Sequence, residues 1–243
     1  MCGWQVSPVG GNLERAFLSG EFMWLSFMKH IYCISGLGAD ERVFSKFQFP
    51  QHEIHFIKWI IPEKNESIEN YAKRLTEQIN HENPILIGLS FGGIMCIEIS
   101  RKIKTEFIII ISSIKSRNEM PFWMRVSGKL KLNKIFPMKS FILIEPIEDY
   151  NLGVRTKEEK EMVHEYRKNI DPVYSDWAIN AILNWENNSP VKNLYHIHGD
   201  VDRIFSIKNI KADHIIEDGG HLMIMHKSDK VNECINSILK NRM

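Results

Sequence analysis

Short apolar runs alternate with segments whose apolar residues recur every third or fourth position, and this alternation organises the chain from Met28 onward. Residues 30–34 predict a first buried strand and residues 54–60 a second. Within 67–79, Ile68, Tyr71, Ala72, Leu75 and Ile79 share one helical face. Pro84-Ile85-Leu86-Ile87 predicts another short buried strand, and residues 93–99 a largely buried helix. Phe107-Ile108-Ile109-Ile110-Ile111 is an almost purely β-branched strand. Strands separated by helices in this way predict a mostly parallel α/β sheet flanked by helices.

The regularity stops after Ser113 and resumes with strands at 194–198 and 213–217 and a closing helix at 230–239. Between them, residues 114–190 carry four helical patterns, at 120–132, at 133–142, from the capping box Thr156-Lys157-Glu158-Glu159, and from Asp171-Pro172 to about Trp185. This block predicts a helical cap inserted between two strands of the sheet. Residues 1–27 lack a basic n-region, carry Glu14, Arg15 and Glu21, and contain only the short apolar patch Phe22-Met23-Trp24-Leu25-Ser26-Phe27. They do not resemble a secretory signal and are expected to be an extension outside a domain spanning 28–243. The rival reading is a docking or membrane-surface segment.

Composition narrows the function classes. The 243 residues are 44% hydrophobic and 25% charged, as in a soluble globular domain. A net charge of +1 gives no general attraction to nucleic acid or acidic membrane. The basic residues of 115–139, interleaved with Phe122, Trp123 and Phe136, are read as solvated faces around an apolar cap core. No run approaches the ~20 apolar residues of a membrane span. Cys2, Cys33, Cys96 and Cys234 are scattered without C-x-x-C spacing, which favours a reduced, cytoplasmic setting. No metal-ligand spacing is evident, and no cofactor is expected.

The chemistry begins at Gly88-Leu89-Ser90-Phe91-Gly92, a G-x-S-x-G pattern between a strand and a helix. On such a turn the serine hydroxyl projects from the end of the sheet, and the flanking glycines let strand and helix pass closely. The pattern alone arises by chance in roughly one chain of this length in ten. A serine nucleophile also needs an imidazole to take its proton and a carboxylate to orient that imidazole. In a parallel sheet these groups belong at the carboxyl ends of strands. His198-Gly199-Asp200-Val201-Asp202 follows one strand, and Asp202, farther into the loop, is preferred to Asp200, which is expected to cap the turn. Asp218-Gly219-Gly220-His221 follows the last strand. Among ten histidines His221 is the best-placed base, ahead of His198 and His226. Ser35-Gly36-Leu37-Gly38 follows the first strand and offers the Leu37 N–H which, with that of Phe91, would form an oxyanion hole. A plain strand-to-helix loop, with Asp40 as helix cap, fits the same residues.

Together these segments resemble the α/β-hydrolase fold family over nearly the whole chain from Met28. The resemblance implies Ser90 as nucleophile, Asp202 as acid and His221 as base, in the order Ser–Asp–His, with Leu37 and Phe91 as oxyanion donors. It also implies a compact sheet lacking the first two strands of the fullest version. Ser35 departs from the common pattern, in which a histidine often stands there. The expected reaction is hydrolysis of a small or medium, lipophilic ester through an acyl-enzyme, with Phe122, Trp123, Trp177 and Phe205 as candidate substrate-binding residues and Met124, Ile179 and Trp185 as further pocket candidates. Thioester, amide or carbon–carbon hydrolysis, or non-catalytic binding of a small molecule, are the alternatives on the same fold.

Overall fold

A computed structural model of the protein describes residues 28–130 and 145–242. The 1–27 extension and the helix expected at 133–142 lie outside the described residues. In chain order the elements are β1 (Lys29–Ile34), β2 (His52–Ile57), α1 (Ile68–Leu75), β3 (Ile85–Leu89), α2 (Phe91–Ser100) and β4 (Ile108–Ile111). Then follow α3 (Phe122–Lys129), α4 (Glu145–Leu152), α5 (Lys157–Asn169) and α6 (Pro172–Asn184). The chain returns to the sheet with β5 (Leu194–Gly199) and β6 (His214–Ile216) and closes with α7 (Ser228–Lys240).

The six strands form one sheet in the order β2-β1-β3-β4-β5-β6, every pair parallel. The chain first moves outward from β1 to β2, then returns to the other side of β1 for β3. That reversal opens a crevice at the carboxyl ends of β1 and β3, where ligands of open parallel sheets settle. The period of two divides the central strands between two cores. Tyr32, Ile34, Leu86, Ile108 and Ile110 pack with Tyr71, Leu75, Ile94 and Ile97 on one face. Ile31, Cys33, Ile85, Ile87, Ile109 and Ile111 pack with Phe44, Phe47, Val231 and Ile235 on the other. The central strands read as unbroken apolar runs because both faces are covered.

The edges differ from the sequence reading. β2 spans His52–Ile57 rather than 54–60, and it is an edge strand on which only Ile57 is buried. Trp59 and Ile60 leave the sheet, and the Ile60 N–H donates to the Tyr71 hydroxyl at 3.1 Å. The caps expected at Thr156 and Asp171 are in place, and Ser67 adds one ahead of α1. Ser67 accepts the Asn70 N–H, Thr156 and Glu159 form a reciprocal capping box, and Asp171 accepts the Val173 and Tyr174 N–H groups ahead of α6. Helix α4 was not anticipated, since Glu-Pro-Ile-Glu-Asp-Tyr-Asn-Leu has no apolar stripe and buries no residue.

Helices α3 to α6 all fall between β4 and β5, and α4, α5 and the residue capping α5 reach the loops at the carboxyl edge. The Leu222 N–H donates to Leu152 O, Tyr166 Oη donates to Asp40 Oδ1, and the Ile170 side chain fills the space beside Gly38. Among the described residues no helix is long and apolar enough to cross a membrane.

Candidate active site

Ser90 occupies the one-residue junction between β3 and α2, at φ 51° and ψ −116°. This is strained backbone for a residue with a Cβ. Its surroundings over-determine it. The Ser90 N–H donates to Ile111 O at 2.9 Å, and Ser113 Oγ donates to Ser90 O at 2.7 Å. A Cβ on Gly88 would stand 2.3 Å from Gly92 O, and one on Gly92 would stand 2.2 Å from Ile34 O. Both glycines therefore serve close backbone approach, as the pattern implied.

Asp202 and His221 come from the loops after β5 and β6. These loops interlock, with the Val201 N–H donating to Gly219 O at 3.1 Å and Asp200 Oδ1 accepting the Gly219 N–H at 3.3 Å. Asp200 thus ties the two loops together rather than capping its own turn. Arg155 from the helical segment holds the second loop from outside, pairing with both Asp218 carboxylate oxygens at 2.6 and 2.7 Å.

Within this frame Ser90 Oγ lies 2.9 Å from His221 Nε2, and His221 Nδ1 lies 2.8 Å from Asp202 Oδ2. The second Asp202 oxygen accepts the Ile204 and Phe205 N–H groups at 2.8 and 2.9 Å. One tautomer satisfies all of these bonds, with Nδ1–H donating to Asp202 and Nε2 accepting from Ser90. Burial alone would raise the Asp202 pKa, but the charge and hydrogen bond of His221, the nearby His198 and the Phe205 amide hold it below the usual carboxylate range. The carboxylate is therefore ionised and fixes the imidazole.

Behind Asp202 lies a buried pair, His196 and His198, of which the sequence offers only His198 as a rival base. His198 Nε2 donates to Phe205 O at 2.7 Å, and His196 Nε2 lies 3.2 Å from His198 Nδ1. Burial pushes the His198 pKa down, with Asp202 opposing it, and burial together with His198 pushes His196 down to about 2. Both rings stay neutral and brace the loop that carries Asp202. His226 is bound to Glu159 at 3.3 Å, away from Ser90.

The loop after β1 meets the elbow directly, because a Cβ on Gly36 would lie 3.6 Å from Ser90 Cβ. Ser35 stabilises that loop. Its hydroxyl donates to Ala39 O at 2.6 Å and accepts the Trp59 indole N–H at 3.0 Å, while the same indole reaches Gly36 O at 3.2 Å. The Phe91 N–H heads α2, among the four donors a helix leaves unsatisfied. Trp59 had no signal in the sequence beyond its place after β2, and neither did the role of Ser113.

The aromatic candidates separate. Trp177 packs on Tyr71 at 4.0 Å between ring centroids and meets the edge of Phe91 at 6.2 Å. Phe205 meets His221 edge-on at 5.6 Å. Trp59 stacks on Phe91 at 5.2 Å. Phe122 and Trp123, in contrast, are exposed on α3, at 73% and 61%. Trp185 is buried and donates its indole N–H to Glu98 Oε1 near the far end of α2, so it belongs to the core rather than to a pocket. Met124 on α3 and Ile179 on α6 are only partly buried.

The sheet order, the elbow after the third strand and the two interlocked loops define the α/β-hydrolase fold. Solved structures of that fold match most of the chain at low identity. An esterase from Thermogutta terrifontis, solved with malate bound, is 16% identical with a TM-score of 0.62, over 88% of this chain and 90% of its own. A hydrolase from Oleispira antarctica is 13% identical with a TM-score of 0.67, over 88% and 91%. A bromoperoxidase from Bacillus anthracis is 16% identical with a TM-score of 0.65, over 88% and 92%. No family model matches the chain, and no curated protein sequence does.

Proposed function

We propose that this protein is a serine hydrolase that cleaves small or medium lipophilic esters through Ser90, His221 and Asp202. The observation that carries the reading is the unbroken line Ser90 Oγ–His221–Asp202, with separations of 2.9 and 2.8 Å, on a strained elbow at the carboxyl edge. Ser90 Oγ attacks the carbonyl carbon while His221 Nε2 takes its proton, and Asp202 stabilises the resulting imidazolium. The carbonyl oxygen becomes negative and is met by the Leu37 and Phe91 N–H groups, each worth about 2.7–4 kcal/mol in comparable sites. His221 then gives the proton to the departing alcohol. Water, activated by the same imidazole, releases the acid from the acyl-serine.

The lipophilic preference follows from what surrounds Ser90. Leu37, Trp59 and Trp177, partly buried and packed on the buried Phe91 and Phe205 side of the core, bring apolar and aromatic surface suited to an apolar acyl group. Exposed Phe122 and Trp123 reach such a substrate only if it extends out along α3. Helices α4 to α6, seated on the loops after β1, β5 and β6, act in this reading as the cap over the crevice. The free cysteines Cys33, Cys96 and Cys234 fit a cytoplasmic, reducing setting. Turnover of p-nitrophenyl esters from acetate to decanoate tests the proposal. The reading requires kcat/KM to peak at short or medium chains, and a flat profile at the buffer rate would exclude it.

A further inference from the structure

At the opposite, amino edge of the sheet a second group of histidines has no part in the hydrolase reading. The parallel register places His30 of β1 beside Glu53 of β2 and Tyr32 beside His55. Since alternate residues share a face, all four side chains rise on one side of the sheet. The loop between α1 and β3 carries His81 onto the same spot. His30 Nδ1 lies 3.1 Å from His55 Nε2. The Glu53 carboxylate stands 3.4 Å from His30 Nδ1 and 3.9 Å from His55 Nε2. One ring nitrogen from each of His30, His55 and His81 falls within 4.8 Å of the others.

These separations have a chemical meaning. Ligands held about 2.0–2.1 Å from a tetrahedral Zn²⁺ stand roughly 3.3–3.4 Å from one another. The His30–Glu53 separation has that edge length, and the His30–His55 separation, a hydrogen-bond contact at 3.1 Å, needs to open by only about 0.2–0.3 Å. The Tyr32 hydroxyl lies 2.8 Å from His81 Nδ1 and accepts the Asn80 N–H at 3.0 Å. A bond of this kind, from behind a ring, orients a ligating imidazole. The His30 and Glu53 side chains are 23% and 54% exposed, so an ion has access from solvent.

We propose that His30, His55, His81 and Glu53 form a Zn²⁺-binding site that ties the loop between α1 and β3 to the β1–β2 edge. Three imidazoles and one carboxylate are a borderline nitrogen-rich donor set, suited to Zn²⁺ and its late first-row neighbours rather than to Ca²⁺ or Mg²⁺. The role is structural, because His30 stands five residues of extended chain, on the order of 16 Å, before Ser35 of the loop beside Ser90. The His30 and His81 rings now stack at 3.4 Å between centroids with only 8° between their planes. Parallel rings do not converge on one ion, so binding requires His81 to turn out of the stack about its bond to Tyr32.

The full-length chain, stripped with chelator and dialysed, is titrated with ZnCl₂ by calorimetry, and in parallel with CoCl₂ by visible absorption. The expected result is one equivalent of Zn²⁺, a rise in Tm, and the intense visible bands of four-coordinate Co²⁺. His81→Gln, on a loop, and Glu53→Gln, on an exposed edge strand, should each weaken Zn²⁺ binding at least tenfold while keeping the wild-type circular dichroism. Absence of a saturable equivalent in the wild-type chain overturns the proposal. So does undiminished binding in a His55→Gln/His81→Gln chain, or a six-coordinate Co²⁺ spectrum.

Discussion

The two edges of the sheet use the left-handed backbone in different ways. At the amino edge, Gln51, Asn83 and Asn193 have positive φ one or two residues before β2, β3 and β5. Two of the three are asparagines, which tolerate that region in ordinary turns. At the carboxyl edge, positive φ falls on Asn65, Ser90, Ser112 and Asp218, of which Ser90 and Ser112 directly follow β3 and β4. Two of these are serines, for which the conformation has no local benefit. There the backbone is held by buried hydrogen bonds and by glycines that admit no Cβ. Strain at the amino edge closes loops, whereas strain at the carboxyl edge aims side chains.

The histidines divide along the same line. His221 has a carboxylate on one nitrogen and a hydroxyl on the other, which gives a proton a direction in which to move. His30, His55 and His81 face mainly one another. What an imidazole can do depends on its partners, not on how many lie nearby.

Four substitutions would break or sharpen the contrast. Asp202→Asn should lower kcat on a short-chain ester by about 10⁴, the loss seen when a triad carboxylate is neutralised with its geometry intact. It should also change acid stability. The Asp202 pKa is depressed in the folded state, so its contribution is full above the unfolded value near ~4 and is lost as pH falls through the lower folded value. Thermal melts from pH 6 down to 2 should therefore show a smaller acid-induced loss in the variant than in the wild-type chain. Gly92→Ala forces a Cβ to within 2.2 Å of Ile34 O and should cost about 4 kcal/mol, read by urea unfolding. Ser113→Ala removes the bond to Ser90 O and should cost about 1 kcal/mol in the same assay, with a several-fold lower kcat. Asn83→Gly at the amino edge should change stability by no more than about 0.5 kcal/mol, with kcat unchanged. If Asn83→Gly slowed turnover as much as Ser113→Ala, the division between the edges would fail.

Much of the frame was legible because buried parallel strands carry unbroken apolar runs, as 85–87 and 107–111 do. Ser90, Asp202 and His221 stand out in the sequence because each lies in a loop after a strand pattern, Ser90 between Gly88 and Gly92 and His221 directly after Gly219-Gly220. The residues that hold them do not. Trp59 reaches Ser35 and Gly36 only because β2 stops at Ile57 and the chain folds back, and hydrophobic periodicity carries no sign of that turn. Ser113 marks only the end of the strand pattern in the sequence, and its bond to Ser90 O depends on the pairing of β3 with β4. Aromatic spacing misled in the helical segment. Phe122 and Trp123 face solvent and Trp185 packs on Glu98, because a helix stripe records burial without naming what it is buried against.

The most direct measurement is the intact mass of the chain after exposure to a fluorophosphonate, with peptide mapping of the adduct. The account predicts a single adduct on Ser90, formed in step with the loss of ester hydrolysis and absent from Ser90→Ala. An unlabelled chain that still hydrolyses the ester, or an adduct on any other residue that abolishes turnover, would contradict it.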